Sequence, residues 1–256
     1  LKRKENQDAF ILSPNINQHS SGKGYLIAVA DGMGGHKGGA TASKLALSVL
    51  VTEYYKLEPQ NVPESLLNAF KKANEAVYTL AKDHKDYGRM GTTLTAVVLK
   101  DSCLYYAHVG DSRGYIVKKN GIGQFTQDHS YVAGLLRAGS ISAAEARGHP
   151  AENVITRAVG MDATVEIDFF EKEIKLKKGQ YILLCSDGLF KVVTDDEILL
   201  TVNTCVTPDQ ITQKLVNLAN SRGGPDNTTV VVARIEKGTS RWIMVKKLLN
   251  LLGKWI

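Results

Sequence analysis

The stretch AVADGMGGHKGGAT, residues 28–41, organises the rest of the sequence. An apolar run over residues 25–30 predicts a buried strand, and it ends at Asp31, which a series of glycines follows. A carboxylate at the end of a buried strand is unfavourable unless a cation meets it, and glycines let the backbone come close to a bound group. These residues indicate that Asp31 is a metal ligand. A glycine-rich turn into a helix, with Asp31 as its solvated cap, is the alternative.

The same glycines also resemble the start of a dinucleotide-binding loop. Residues 32–34 fit the first half of the pattern G-x-G-x-x-G, and Glu53 lies near the distance expected for a ribose-binding acid. However, Lys37 occupies the third glycine position, Glu53 falls inside a helical pattern, and Asp31 would repel a pyrophosphate. This second match is therefore weak.

The composition is that of an ordinary globular chain, with 256 residues, 43% hydrophobic and 23% charged, and without repeats. The net charge is +6, but the basic residues are dispersed and the longest basic run covers only residues 2–4. We therefore expect no nucleic-acid partner, because such proteins concentrate their charge and interleave aromatic residues. An anionic substrate fits the positive charge equally well.

Cysteine usage indicates a reducing compartment. Cys103, Cys185 and Cys205 cannot all pair with one another, and none has the spacing of a zinc site. We expect free thiols and a cytoplasmic location. No run reaches the ~18 apolar residues of a membrane span, and no signal peptide is visible.

Hydrophobic periodicity predicts alternating groups of helices and strands. Residues 126–160 differ, because polar residues, a short helical pattern and helix breakers are mixed, and we expect a flap at about 131–155. A loose alternation predicts a further strand over 163–176. The remaining predicted helices begin at Gly38 and about Pro63 and lie near 194–202 and 208–221, and the remaining predicted strands cover 91–99, 103–109, 115–117, 181–185 and 228–235.

Two more aspartates lie at strand boundaries as Asp31 does. Asp187 follows the apolar run over 181–185, and Asp226 precedes the last predicted strand. Three carboxylates that converge at one sheet edge need cations to remain ionised, and oxygen ligands suit Mg²⁺ or Mn²⁺. Two such ions can hold a phosphate and activate water, and Arg3 could orient that phosphate through a bidentate contact. Ordinary turn aspartates are the alternative.

Eight short motifs, in this order, favour the metal hypothesis. The set resembles the bacterial branch of the metal-dependent type 2C (PPM) family of protein serine/threonine phosphatases over residues 1–236. This resemblance implies an α+β fold, a four-layer αββα sandwich of two antiparallel sheets flanked by antiparallel helices. The motifs are RxxNQD (3–8), ADGMGG (30–35), GTT (91–93), GDSR (110–113), TQDHS (126–130), TRAVG (156–160), SDGL (186–189) and GPDNTT (224–229).

The resemblance also implies the metal ligands. Asp31 would bridge two ions, Mn²⁺ or Mg²⁺, and Gly32 would lend its backbone carbonyl to one of them. Asp187 and Asp226 would hold the other ion. Asp111, together with Asp187, matches the position that binds a third ion near the flap.

Arg3 matches the phosphate-binding arginine of the family, and Asp8 would reach a metal ion through water. Two departures from the family pattern stand out. Many members carry Glu where Gln7 stands, so we expect weaker binding of the second ion. Animal members carry a histidine, proposed as the general acid, where Met33 stands, so we expect a metal-bound water to protonate the leaving group. We expect His129 to support the scaffold.

The implied reaction has a single step, in which a metal-bridging hydroxide attacks phosphorus directly. The substrates would be phosphoserine and phosphothreonine in proteins, the partners a Ser/Thr kinase and its targets, and the enzyme a monomer. A pseudophosphatase that acts as a binding module is one alternative, supported only by Gln7. A hydrolase of small phosphorylated metabolites on the same fold is another.

The C-terminal segment, residues 237–256, lies beyond the resemblance. Over 240–256 its apolar residues share a helical face, with basic residues largely elsewhere, which predicts a basic amphipathic helix. A helix docked on its own domain, or a linker, is the preferred interpretation. Contact with a membrane surface or a partner is the second.

Overall fold

Two antiparallel β-sheets lie face to face between two layers of helices in this computed structural model. The expected four-layer αββα sandwich is thereby confirmed. The structure describes residues 3, 5–12, 22–34, 38–56, 61–84, 89–169 and 173–236, and the backbone of 243–249.

Helices cover one outer face of each sheet, and two short ones form the flap. Thr194 and Thr207 begin the sixth and seventh helices with capping boxes, in which the threonine hydroxyl and a side chain three residues on satisfy each other's backbone N–H. The helices are Gly38–Lys56 (α1), Val62–Asp83 (α2), Tyr131–Arg137 (α3), Ala143–Ala146 (α4), Asp187–Phe190 (α5), Asp195–Thr204 (α6) and Pro208–Ser221 (α7).

The strands are Asp8–Leu12 (β1), Tyr25–Met33 (β2), Gly91–Thr92 (β3), Leu94–Lys100 (β4), Cys103–Val109 (β5), Arg113–Lys118 (β6), Gly121–Gln124 (β7), Asp168–Phe169 (β8), Ile174–Lys175 (β9), Tyr181–Cys185 (β10), Thr229–Arg234 (β11) and Ile243–Leu249 (β12). The first sheet has the strand order β1-β2-β4-β5-β8, with β3 beside β2 and β9 beside β5, and the second has the order β12-β11-β10-β6-β7.

Alternation along the central strands explains the layers. On β2, Ile27 and Val29 pack into the core between the sheets, whereas Leu26 and Ala28 pack against α1 and α2. Strand β10 repeats the pattern, because Leu184 points to the inter-sheet core and its neighbours pack against the other helices. Both faces of these strands are buried, which accounts for their continuous apolar runs.

Most of the predicted helices and strands are present within a few residues of the expected bounds. The strand predicted over 163–176 is present only as two pairs of residues, β8 and β9, which contact β5 separately. Strand β2 continues past its predicted end, through Asp31 to Met33, because Gly32 and Met33 pair with β3.

The helix predicted over 240–256 is wrong for residues 243–249, which form strand β12. This strand pairs with β11, whose backbone groups on that side would otherwise be unpaired. Edge pairing therefore overrides the helical spacing of the apolar residues. The rest of the predicted tail lies outside the described residues, and no helix among the described ones is long and apolar enough to cross a bilayer.

Candidate metal centre

Five aspartates come to one end of the sandwich from five chain segments. Asp8 and Asp31 are register partners across β1 and β2. Asp111 lies in the turn between β5 and β6, Asp187 begins α5 directly after β10, and Asp226 precedes β11. In an antiparallel sheet, the end of one strand lies beside the start of its neighbour. These positions therefore meet at one end of the sandwich, although they are far apart in sequence.

Asp8 is held by the second sheet although it belongs to the first. Its Oδ2 accepts hydrogen bonds from Ser186 Oγ at 2.7 Å and Thr229 Oγ1 at 2.8 Å. Its Oδ1 is buried and has no hydrogen-bond partner. Asp8 thus joins the two sheets through one oxygen and leaves the other available to a cation.

Asp31 is positioned through its backbone. Its N–H donates to Thr93 Oγ1 at 2.8 Å, and its carbonyl oxygen accepts from Thr93 N at 2.8 Å and from Thr92 Oγ1 at 3.0 Å. Next to it, a Cβ added at Gly32 would lie only 2.1 Å from the carbonyl oxygen of Gly39 at the start of α1. Only glycine permits this close approach of strand and helix.

Asp187 shares its carboxylate with a lysine. Its Oδ2 accepts a hydrogen bond from Lys191 Nζ, whereas its Oδ1 is buried without a partner. The same ammonium donates to Asn153 Oδ1 in the flap at 2.6 Å. Burial alone would lower the pKa of Lys191, but the carboxylate of Asp187 outweighs it and the net shift is upward.

Arg3 and Asp226 form a bidentate ion pair. The Nε and Nη2 of Arg3 each donate to one oxygen of Asp226 at 2.8 Å. The predicted phosphate-binding arginine therefore lies at the acidic cluster, in contact with one of its predicted metal ligands. An incoming phosphate has to compete with the carboxylate of Asp226 for this guanidinium.

The carboxylates of the cluster resist ionisation together. Burial raises the pKa of Asp8 to about 7, although hydrogen bonds from Ser186 and Thr229 oppose the shift. Burial and the charge of Asp187 raise the pKa of Asp111 to about 7. The pKa of Asp31 lies well above its usual range, because of desolvation first and the charge of Asp8 second. Such a cluster favours the arrival of cations.

The donor set fits divalent metal ions that prefer oxygen. One oxygen each of Asp8, Asp111 and Asp187 is buried and has no hydrogen-bond partner. Buried oxygens normally have a partner, and a bound metal ion would supply one here. Among the described residues no three Asp, Glu, His or Cys side chains already enclose one point. Asp226 is turned to its arginine and Asp187 to its lysine, which accounts for the open arrangement.

A cleft of about 770 Å³ runs from the cluster under the flap. Asp111 and Lys191 line its inner end, and α3, α4 and the start of α6 line its sides. It is large enough for a peptide side chain and the backbone beside it.

A buried histidine supports the turn that carries Asp111. His129 Nδ1 accepts a hydrogen bond from Gly110 N at 3.1 Å, and its Nε2 lies 3.0 Å from Asp168 Oδ2. Because Nδ1 accepts, the proton of the neutral ring lies on Nε2. Burial lowers the pKa of His129. These contacts agree with the scaffold role expected of this residue.

Sequence reasoning missed three residues of the site: Ser186, Thr229 and Lys191. The first two lie inside the motifs SDGL and GPDNTT, but their contact with Asp8 spans 178 and 221 sequence positions. Nothing in a single sequence marks such pairs. The i, i+4 spacing of Asp187 and Lys191 was the one signal that could have identified the lysine.

Comparison with known proteins identifies the family. The sequence matches the family "Protein phosphatase 2C" over residues 2–132 and 164–228, and the unmatched segment is close to the flap. A putative protein phosphatase 2C-type from Streptococcus pyogenes is 37% identical over 239 residues, 92% of this chain and 94% of the relative. Serine/threonine phosphatase stp from Listeria monocytogenes is 36% identical over 211 residues, 81% of this chain and 83% of the relative.

Solved structures agree with the sequence relatives. Serine/threonine phosphatase Stp1 from Staphylococcus aureus has a TM-score of 0.81 at 34% identity, covering 92% of this chain and 91% of that one. The catalytic domain of the serine threonine protein phosphatase PstP, solved with two manganese ions, has a TM-score of 0.78 at 32% identity, covering 93% and 94%.

The fold and the acidic site thus define a metal-dependent phosphohydrolase. The chain belongs to the protein phosphatase 2C family. It is an enzyme, a serine/threonine phosphatase that acts on phosphoproteins.

Proposed function

We propose that the acidic cluster is the phosphatase centre and that it holds two divalent ions, Mn²⁺ or Mg²⁺. The observation that carries this proposal is the set of buried carboxylate oxygens without hydrogen-bond partners, in a cluster that Arg3 contacts through Asp226 and that reaches a cleft at Asp111. Asp31, Gly32, Asp187 and Asp226 would be the ligands. When bound, such ions polarise the phosphate and lower the pKa of water, so that the nucleophile forms near neutral pH.

The protein's own groups supply binding and orientation. Arg3 leaves Asp226 to hold two phosphate oxygens in a bidentate contact. Asp8 accepts a proton or orders water through its free Oδ1, because its Oδ2 is fixed by Ser186 and Thr229. The cleft beneath the flap receives the peptide around the phosphorylated residue.

Direct attack of water is favoured over a covalent phosphoenzyme. Cys185 is fully buried, and burial raises the pKa of its thiol far above neutrality. Burial also raises the pKa of Cys103, which lies at the opposite end of β5 from the acidic cluster. Neither thiol is placed or ionised to act as a nucleophile.

We further propose that residues 1–236 form the phosphatase domain, with the flap at 131–155, and that residues 237–256 are a C-terminal tail, of which 243–249 add strand β12 to the second sheet. The enzyme would act as a monomer in the cytoplasm, opposite a Ser/Thr kinase and on its targets. Contact of the tail with a membrane surface is a secondary proposal.

Hydrolysis of a phosphothreonine peptide by chelator-treated protein tests the function. We expect no turnover without metal, recovery with Mn²⁺, and much slower hydrolysis of small phosphorylated metabolites. Asp187→Asn serves as the inactive control, and circular dichroism shows that it is folded. A folded wild-type protein that binds Mn²⁺ but never hydrolyses the peptide would contradict the proposal.

That result would favour the binding-module alternative, for which Gln7 is the relevant observation. Gln7 Nε2 donates to the carbonyl oxygen of Gly34 at 3.4 Å, so a neutral amide occupies a place beside the glycine loop where many relatives have a carboxylate. Gln7→Glu should then raise the affinity for Mn²⁺ and restore turnover. If the wild type is already active, the same variant should lower the Mn²⁺ concentration needed for half-maximal rate.

A further inference from the structure

Lys191 contacts the acidic cluster but lies outside the eight sequence motifs. It directly follows α5, and its side chain is only 19% exposed. Long, charged side chains are rarely this buried unless they are paired. The side chain therefore has a defined place in the site.

The ammonium of Lys191 completes the charge balance of one edge of the acidic cluster. It donates to Asp187 Oδ2, and Lys191 and Asp111 line the same cleft. This edge thus has a positive charge of its own.

The same ammonium is a mechanical link to the flap. Lys191 Nζ donates to Asn153 Oδ1 at 2.6 Å. At its base the flap is fixed by backbone contacts, with Tyr131 N donating to the carbonyl of Val154 at 2.8 Å and Ser130 bridged to Ile155. The contact with Lys191 is additional to these, and it joins Asn153, near the end of the flap, to the predicted metal ligand Asp187.

We propose that Lys191 is a built-in cation, which neutralises the Asp111–Asp187 edge in place of a third metal ion and holds the flap against it. This inference rests on the proposed two-ion centre. It predicts that the chain binds one ion fewer than the three positions that its aspartates offer. It also predicts that flap position and the charge at Asp187 are coupled through one side chain.

Metal content tests the first part without reference to activity. After equilibrium dialysis of the full chain against Mn²⁺, elemental analysis should give about one more ion per chain for Lys191→Met than for the wild type, because two carboxylates have lost their cation. Lys191→Arg should keep the wild-type content. Lys178→Met is the matched control, since this exposed lysine lies at the opposite end of β10 from Asp187.

Proteolysis of the flap tests the second part. Arg147 is exposed within the flap, and trypsin cleavage after it reports how often the flap opens. Cleavage should be roughly ten-fold faster in Lys191→Met, because a hydrogen bond to a charged group is lost. Asn153→Ala should show the same faster cleavage with unchanged metal content, because it breaks only the link to the flap.

The outcomes separate this inference from the proposed function. If the wild type binds Mn²⁺ and hydrolyses phosphopeptide but Lys191→Met has the same metal content, the inference is wrong and the function stands. If Lys191→Gln, a second variant without the charge, also keeps the wild-type content, the same conclusion holds even where the methionine variant folds poorly. If the folded wild type takes up no Mn²⁺, the two-ion centre and the inference both fail.

Discussion

The molecule contains two Asp-Gly pairs, Asp31-Gly32 on the first sheet and Asp187-Gly188 on the second. Their backbones pack alike, but the negative charges of the two aspartates are compensated differently. In both, the glycine lies against a backbone carbonyl, so that an added Cβ would be 2.1 Å from Gly39 O in the first case and 2.0 Å from Asn227 O in the second. Both aspartates thereby sit on tightly packed backbone.

The two carboxylates differ in their surroundings. Asp31 lies within a strand that continues to Met33, and within the described ranges no basic side chain forms an ion pair with it. Asp187 begins the one-turn helix α5, and Lys191, which directly follows that helix, pairs with its carboxylate. In the proposed centre the carboxylate of Asp31 would be neutralised by metal ions alone, whereas that of Asp187 is already paired with Lys191. Identical dipeptides therefore have different electrostatic requirements.

Removing the charge of Asp31 should have the largest effect on activity. We expect Asp31→Asn to lower kcat by about 10³-fold or more, because groups that stabilise transition-state charge in a preorganised site contribute on this scale. The metal-free variant should unfold at a higher temperature than the wild type, since one of several repelling carboxylates is gone. Phosphopeptide kinetics and thermal unfolding measure the two effects.

Asp101→Asn is the matched control for that variant. Asp101 lies in the turn between β4 and β5, at the far end of the first sheet from the site, and its positive φ of 50° suits asparagine. Its kcat and melting temperature should be those of the wild type. If metal-free Asp31→Asn instead melts at a lower temperature than the wild type, the carboxylate of Asp31 does not repel its neighbours in the folded protein.

Adding a methyl group at either glycine should have the next largest effect. Gly32→Ala and Gly188→Ala place a Cβ against backbone carbonyls that cannot move away cheaply, so each should lower the free energy of unfolding by about 3 kcal/mol or more. Gly121→Ala, with nothing within 4 Å of the new Cβ, is the control. Urea midpoints for Gly32→Ala and Gly121→Ala that coincide would contradict the close approach seen at α1.

The metal-free protein should lose stability as the pH rises. Asp8 and Asp111 have pKa values of about 7 in the folded protein, against 3.8 for an ordinary aspartate. Between these values the folded state binds more protons than the unfolded state, so the stabilisation is present at low pH and is lost as the pH approaches 7. From about pH 5 to about pH 8 the free energy of unfolding should fall by about 5 kcal/mol for the two carboxyls together.

Urea unfolding across this pH range, with and without Mn²⁺, measures the effect. Added Mn²⁺ should remove most of the loss, because it binds the ionised carboxylates of the folded state alone. A metal-free protein that becomes more stable between those pH values would mean that the buried carboxyls are already ionised at low pH.

The smallest expected effect concerns the backbone support of the first pair. Thr93→Val keeps the shape but removes the acceptor for the Asp31 N–H and the contact with Ser112 Oγ at 2.7 Å. The free energy of unfolding should fall by about 1–2 kcal/mol. Thr52→Val, on the exposed face of α1, should change it by less than about 0.5 kcal/mol. Equal urea midpoints for the two valine variants would rule out a supporting role for Thr93.

The central strands and the long helices could be predicted from sequence, because burial on one or two faces leaves a regular pattern of apolar residues. Strand β10 and helix α2 are examples. Helix α5 has only four residues, fewer than the repeat needs to be visible. The tail prediction failed for residues 243–249 because the partner strand, β11, rather than their own spacing, determines their conformation.

Sequence could single out individual residues of the candidate site, such as Asp31 and Asp187, because an aspartate directly after a buried strand is visible in the sequence. The contacts that shape it were not, because they join segments brought together only by the fold. Arg3 and Asp226 are 223 positions apart, and no local pattern relates them. Lys191 combines both cases. Its i, i+4 spacing from Asp187 is visible in the sequence, but its hydrogen bond to Asn153 is not.

The meeting of Arg3 and Asp8 with Asp226 and Thr229 has a consequence for synthesis on the ribosome. A nascent chain that ends before residue 226 lacks the partners of Arg3 and Asp8, so the acidic cluster can be complete only after translation has passed residue 229.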